Sequence, residues 1–415
     1  MGLAGTTRQR LVTATGTLCR AARYPASRSN HNITGTTGDR MRRTRTALVL
    51  GGGNALGAYL AGACEYLDEQ GVRPDWIVGA SVGAVTGAIL AGNAPEEGVG
   101  KLKQFWAEAT QHTWGEVTRQ ETLRQTYNGV HSMLSLLLCR PSIFQRRYPG
   151  LWSSLPWMPN DVAIFDHSPL RSTLERLVDF DRLNRAETRF TIGCVDLESG
   201  DEVLFDNRHE EIGPEHILAS TAIAPAFPPV EIGGRLLCDP GYANNLPLDV
   251  PFAEPLDQDL DCIAIEPFSL RSPRPASLDA VLERAQDIMF ASPGRKSIKA
   301  LQREYALREE LDPKGPRARL VHLAYQAASH ELATKTFDFS PSSIADRWAA
   351  GRRDMAKGLG RLSGDRSAPG RFAYLAVDAE EASAAAARDA GMKSPQGTKR
   401  HASDHPSLSL TRRAP

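Results

Sequence analysis

No two of the six cysteines are spaced as C-x-x-C; Cys19, Cys64, Cys139, Cys194, Cys238 and Cys262 lie scattered through 415 residues. That excludes a zinc-ligand pattern and a disulfide framework, and predicts reduced, mostly buried thiols in an intracellular protein. An excess of one charge is also missing. Lys and Arg number 49, Asp and Glu 49, so no basic footprint points to a nucleic-acid partner. Internal repeats are absent. Long apolar runs are nearly so: only Trp76 to Ala94 goes 19 residues without a charge. Gly79, Ser81, Gly83, Gly87 and Gly92 interrupt it, and a buried turn explains it better than a membrane span.

Met1 to Arg43 carries Arg, Ser and Thr but no acidic residue before Asp39, and lacks the apolar core of a secretory signal. A transit peptide shares this composition. The simpler account is a disordered leader, or an upstream start with Met41 as the natural beginning. The fold is expected to start near Thr44. From Ser363 to the end, Ala, Ser, Arg and Gly dominate, which predicts a mostly disordered tail.

The chain is organised around Ala47 to Asn93. Ala47–Leu50 is a short apolar strand broken by Gly51-Gly52-Gly53-Asn54. Ala55 to Gln70 follows as a helix, with Leu56, Leu60, Cys64 and Leu67 three or four apart. Trp76–Val78 is a second strand. Gly79-Ala80-Ser81-Val82-Gly83 leaves it at once, ahead of the small apolar helix Ala84–Ala91. A serine on a tight strand-to-helix turn is a nucleophile elbow, and the turn needs small neighbours such as Gly79 and Gly83. The glycine loop after the first strand leaves backbone N–H groups for the oxyanion of a tetrahedral intermediate. Either motif alone is weak; both sit where a strand hands over to a helix.

Further on, Pro95 to Thr110 reads as a helix. His131 to Asn160 mixes the run Met133–Leu138 with Arg146, Arg147, Tyr148, Trp152 and Trp157. It reads equally as a cap meeting lipid headgroups and as an ordinary insertion packed on the domain. Ser168 is the expected N-cap of a helix opened by Pro169. Strands are expected at Phe190–Val195, Glu202–Phe205, Leu236–Cys238, Asp261–Ile265 and Arg319–Tyr325, and helices over Leu278–Leu307 and up to about Leu362. Asp239 leaves its strand into Pro240-Gly241. It is either a turn residue or a partner that takes the serine proton directly, without a histidine.

Together these landmarks resemble the patatin-like phospholipases. Gly52 and Gly53 match that family's oxyanion loop, Gly79–Gly83 its elbow, and Asp239 the aspartate of its late Asp-Gly motif. Ala219-Ser220 through Phe227-Pro228-Pro229-Val230 and Asn244-Asn245-Leu246-Pro247 resemble further family segments. The match runs from about Arg45 to Met355, and its end looks like the C-terminal extension of one bacterial branch. The resemblance implies an open, mostly parallel α/β sheet with helices on both faces. It implies a catalytic domain over 44–362, with the extension from about 270, and a Ser81–Asp239 dyad. The oxyanion donors would be Gly52, Gly53 and Asn54. Asn54 replaces the third loop glycine, Leu56 a frequent Arg, and Pro240 the glycine after the aspartate. Asn is the residue that best tolerates the left-handed backbone a glycine would adopt there.

The chemistry implied is lipid acyl hydrolysis through an acyl-enzyme. The substrate would be a phospholipid or other lipid ester, met by a cytoplasmic protein that touches a membrane only peripherally. No metal or organic cofactor is required. Three alternatives follow from the same residues. A Ser-Asp-His triad would recruit His322 or His330, but that fold brings its nucleophile after more strands. A dinucleotide site needs an acidic residue where Gly79-Ala80-Ser81 stands. A degenerate relative would bind lipid or a protein partner without turnover.

Overall fold

Strand β1 (Arg45–Leu50) shows how the molecule is layered in this computed structural model, which describes residues 44–110, 121–364 and 370–377. Ala47 and Val49 point into one buried cluster, and Leu48 and Leu50 into another. A strand apolar on both sides belongs at the centre of a sheet covered on both faces.

Chain order continues through α1 (Gly57–Glu69), β2 (Trp76–Ala80), α2 (Val82–Ala91), α3 (Pro95–Ala109) and α4 (Glu121–Leu138). A two-strand ribbon, β3 (Gln145–Arg146) and β4 (Phe165–Asp166), precedes α5 (Ser168–Leu177) and α6 (Phe180–Asn184). Then come β5 (Arg189–Asp196), β6 (Glu202–Asp206), α7 (Pro214–Thr221), β7 (Val230–Ile232), β8 (Arg235–Cys238), α8 (Gly241–Asn244) and α9 (Val250–Ala253). The last elements are β9 (Leu260–Glu266), α10 (Leu278–Leu311), β10 (Ala318–Ala324), α11 (Pro341–Gly364) and β11 (Phe372–Val377).

The described residues build a nine-stranded sheet in the order β11-β10-β9-β1-β2-β5-β8-β7, with β6 also on β5. From β11 to β5 every pairing is parallel; β6, β7 and β8 join antiparallel at one side. The expected open, mostly parallel sheet is present. Helices α1, α2, α3, α5, α7 and α11 contribute to the cluster on one face, and α9 with the middle of α10 to the cluster on the other.

Three expectations change. Helix α5 begins at Ser168, and its entry is held by Asp166, whose carboxylate accepts from the Ser168 N–H at 2.9 Å and hydroxyl at 2.6 Å. Ser168 is therefore the first helical residue, not the cap. The domain does not stop at 362: β11 extends the sheet in parallel along β10. Its sequence, Phe-Ala-Tyr-Leu-Ala-Val, is too short to stand out beside a polar tail. The run Met133–Leu138 is the end of helix α4, not an irregular insertion. The uncharged stretch from Trp76 resolves into β2, the serine turn and α2, all packed in the core. Among the described residues no helix is long and apolar enough to cross a membrane. The leader and the tail beyond Val377 lie outside the described residues.

Candidate active site

Ser81 sits between the end of β2 and the start of α2 with φ 55° and ψ −125°. A non-glycine residue in that conformation costs on the order of 1–3 kcal/mol and persists only where its surroundings enforce it. The enforcement is steric. A Cβ on Gly83 would lie 2.1 Å from the Leu50 carbonyl oxygen, and one on Gly79 would lie 2.6 Å from the Gly83 carbonyl oxygen. Only glycine lets α2 start directly above the end of β1. The Ser81 N–H donates to Ser220 Oγ at 2.9 Å, and that hydroxyl donates to the Gly193 carbonyl at 2.7 Å, fastening the turn to β5.

Strand register delivers the second group. Along β5, β6 takes one edge, and the other carries β2 and then β8. Ala80 of β2 lies opposite Gly193, and Cys238 of the antiparallel β8 lies opposite Val195. The two strands therefore meet head to head, and the next residue of each is Ser81 and Asp239. Ser81 and Asp239 accordingly line the same hollow, with the serine side chain close enough to act on the Asp239 carboxyl. Asp239 is only 4% exposed, and its Oδ1 accepts from the Gly241 N–H at 2.7 Å. Burial pushes its carboxyl up to about 7, against the opposing pull of the Ser81 and Gly241 hydrogen bonds. Pro240 does not disturb the turn. Its φ of −75° lies within proline's natural range, and the backbone donor to Asp239 comes from Gly241.

The glycine loop departs from expectation at one residue. The Gly52 N–H donates to the Asn245 carbonyl at 3.1 Å, so it is not an oxyanion donor. What Gly52 supplies is proximity: a Cβ there would lie 2.8 Å from the Ser81 Cβ. The Gly53 and Asn54 amides, at the start of the 3-10 turn Asn54–Leu56, have no backbone acceptor among the described residues. Asn54 has φ 51°, the left-handed conformation expected of it.

Two residues quoted only as parts of motifs have structural roles here. Asn245 clamps the loop through its carbonyl and through Nδ2, which donates to the Gly52 carbonyl at 3.2 Å. Ser220 holds the elbow. A third, Arg347, carried no signal in the sequence. It is fully buried and donates to the carbonyls of Ala55 (3.3 Å), Asp338 (2.9 Å) and Lys335 (3.1 Å), while Nε pairs with Glu331 at 3.0 Å. Helix α11 thereby braces the end of the glycine loop from behind.

Ser81 and Asn54 line two hollows at once. The outer one, about 210 Å³, is bounded by Asp239, Tyr242, Phe268, Phe290 and Phe337. The inner one, about 50 Å³, runs toward Trp106, His167, Leu170 and Phe227. A larger hollow of about 310 Å³ lies at the opposite end of the strands, beside Asp75 and Thr188, and takes no part. The triad alternative loses its histidines. His322 is held in β10 by Glu266 and Tyr374, each at 3.0 Å, and His330 lies 3.8 Å from Asp346; neither lines the Ser81 hollows.

The chain is similar to known proteins over part of its length. A family profile described as patatin-like phospholipase matches residues 48–252, and a second, described as patatin phospholipase, matches residues 290–367. A putative patatin-like phospholipase domain-containing protein of Caenorhabditis elegans is 28% identical over 205 residues, covering 49% of this chain and 15% of that protein. A lysophospholipase of Saccharomyces cerevisiae is 25% identical over 209 residues, covering 48% of this chain and 10% of its own length. The match thus spans a small part of each relative. Among solved structures, VipD from Legionella pneumophila aligns at 15% identity and a TM-score of 0.37, over 79% of this chain and 69% of that one. With both profiles falling on the segments that build the Ser81 site and its brace, the chain belongs to the patatin-like phospholipase family.

Proposed function

We propose that this chain hydrolyses carboxylic esters of lipids through an acyl-enzyme on Ser81. The observation that carries the reading is the meeting of Ser81 and the buried Asp239, at the facing ends of β2 and β8, on one hollow. As Oγ attacks the ester carbonyl, its proton passes to Asp239, and the negative oxygen faces the Gly53 and Asn54 amides. Asp239 returns the proton to the departing alcohol. It then takes one from water, whose oxygen attacks the acyl-enzyme, and hands it to Ser81 Oγ as the Oγ–acyl bond breaks and the fatty acid leaves. A carboxyl near 7 is matched to both proton transfers at neutral pH. Family membership and the yeast relative's lysophospholipase name support a lipid ester as substrate. The buried free thiols Cys64, Cys139, Cys194, Cys238 and Cys262 accord with a cytoplasmic location.

The test is labelling of the purified protein by a fluorophosphonate, which reacts with activated serines. Labelling is expected in the wild type and lost in Ser81→Ala and Asp239→Asn. Labelling that survives Ser81→Ala places the nucleophile elsewhere. A folded wild type that never reacts removes hydrolysis and leaves a lipid-binding role.

Peripheral membrane contact belongs to the same proposal, and α4 favours it. This helix is inside out: Asn128, Ser132 and Ser135 are buried, whereas Val130, Met133, Leu137 and Leu138 are exposed. Arg146 donates to the Leu137 carbonyl at the end of α4, and the segment that follows exposes Trp152 (60%) and Trp157 (76%). Aromatic and basic side chains together suit the headgroup region of a bilayer. Trp152→Ala with Trp157→Ala is expected to weaken cosedimentation with anionic phospholipid vesicles at least severalfold without shifting the melting temperature. Unchanged cosedimentation would refute this surface.

A further inference from the structure

The inner hollow beside Ser81 is walled by apolar side chains such as Val85, Phe105, Ile143 and Leu170. Among the polar residues that also line it, two carry a buried atom with no partner among the described residues. Trp106, 3% exposed, has no acceptor for its Nε1–H, and His167, 5% exposed, has no partner for Nδ1. Native proteins rarely leave buried polar atoms unpaired in two side chains that line one cavity, so each calls for a ligand atom or water. The rings have little room to turn elsewhere: Trp106 stacks on Phe339, and His167 lies against Phe227.

We propose that this hollow is an acyl subsite selecting short acyl groups that carry an oxygen substituent, held between Trp106 Nε1–H and His167 Nδ1. The inference rests on the hydrolase reading of Ser81 and narrows its substrate. Size sets the chain length. The hollow is about 50 Å³ and a water-sized group needs about 10–15 Å³, so it takes only about three to five such groups. Chemistry sets the substituent. Burial pulls the His167 imidazole down to about 4, so at neutral pH it is uncharged and one ring nitrogen can accept. A hydroxyl accepts from Trp106 and donates to Nδ1. A keto oxygen would accept from both groups in the other tautomer. A plain alkyl chain satisfies neither, and a site built to hydrogen-bond its substrate rejects the analogue that cannot.

The experiment compares kcat/KM of the full-length protein for 4-nitrophenyl butyrate, 3-hydroxybutyrate and acetoacetate. Wild type is expected to favour the hydroxy or the oxo ester over butyrate by at least about tenfold. His167→Phe deletes the ring nitrogens and Trp106→Phe the indole N–H, each keeping an aromatic ring, and each should draw that ratio toward one. Preference for the hydroxy ester assigns Nδ1 as acceptor, and preference for the oxo ester assigns it as donor. Equal or better use of butyrate by wild type overturns the proposal, as does a ratio that survives both substitutions; water then fills the hollow. Should no ester turn over, the hydrolase reading fails first. Calorimetric binding of 3-hydroxybutyrate, acetoacetate and butyrate then decides the subsite. Tighter binding of an oxygenated acid, lost in His167→Phe, upholds it, and indifference among the three acids overturns it.

Discussion

The elbow and the C-terminal extension hold the same site by opposite physics. At the elbow, order comes from backbone touching backbone: α2 begins so close to β1 that Gly83 has no room for a Cβ against the Leu50 carbonyl. In the extension, order comes from buried charge. Arg347 is enclosed with Glu331 and Asp338, and Lys335 pairs with Asp287 at 2.8 Å and Glu283 at 2.9 Å. The Glu331 carboxyl stays below the usual range although burial opposes it, because Arg347 lies against it. Steric order admits one side chain only. Ionic order admits any replacement that removes both charges together.

Breaking each region should expose that difference. Gly83→Ala carries the largest expected effect, at least about 4 kcal/mol of stability or outright failure to fold, since neither colliding group is a movable side chain. Arg347→Met comes next. It strands a buried carboxylate and should cost about 3–5 kcal/mol. The pair Arg347→Met with Glu331→Leu should recover more than half of that loss, as read from urea midpoints. No second-site change of side chain near Gly83 should recover folding, because Leu50 contributes a backbone oxygen. An Arg347→Met protein as stable as wild type, or a Gly83→Ala protein that melts normally, would remove the contrast.

The same difference explains what could be read from sequence. The elbow is legible because its requirements are local: Gly79, Ser81 and Gly83 stand within five residues, on a turn between a strand and a helix. Asn54 was legible for a similar reason, one residue at one left-handed position. Asp239 was legible only in company, since an aspartate before Pro-Gly is usually just a turn. Arg347 was not legible at all. Its backbone partner Ala55 lies 292 residues away, and no spacing announces such a contact. Gly52 was misplaced among the donors because a glycine-rich loop tells how many amides are uncovered, not which one Asn245 has already taken. His167 was hidden inside a helix-start pattern, and only the fold shows that it lines the hollow beside Ser81.

The one expected effect of opposite sign concerns Asp239, where the site itself carries strain of a third kind. Its carboxyl moves from an ordinary 3.8 up to about 7, chiefly through burial. Below the ordinary value the group is neutral folded and unfolded, and nothing is lost. As pH rises the unfolded chain ionises first, and stability falls until the folded group ionises near 7. The full penalty is roughly 4 kcal/mol as an upper figure, from about three units at 1.36 kcal/mol each. Asn cannot ionise, and its amide oxygen can keep the Gly241 bond. Asp239→Asn should therefore abolish turnover yet raise the melting temperature at pH 8, with the gain shrinking to nothing by about pH 4. In the wild type, kcat/KM should climb with unit slope up to about pH 7 and then level, because only the ionised carboxylate takes the serine proton. An Asn variant no more stable than wild type at pH 8, with a rate profile already flat from pH 5, would mean that Asp239 titrates as an ordinary surface acid. The elbow would then place its serine without a base tuned to meet it.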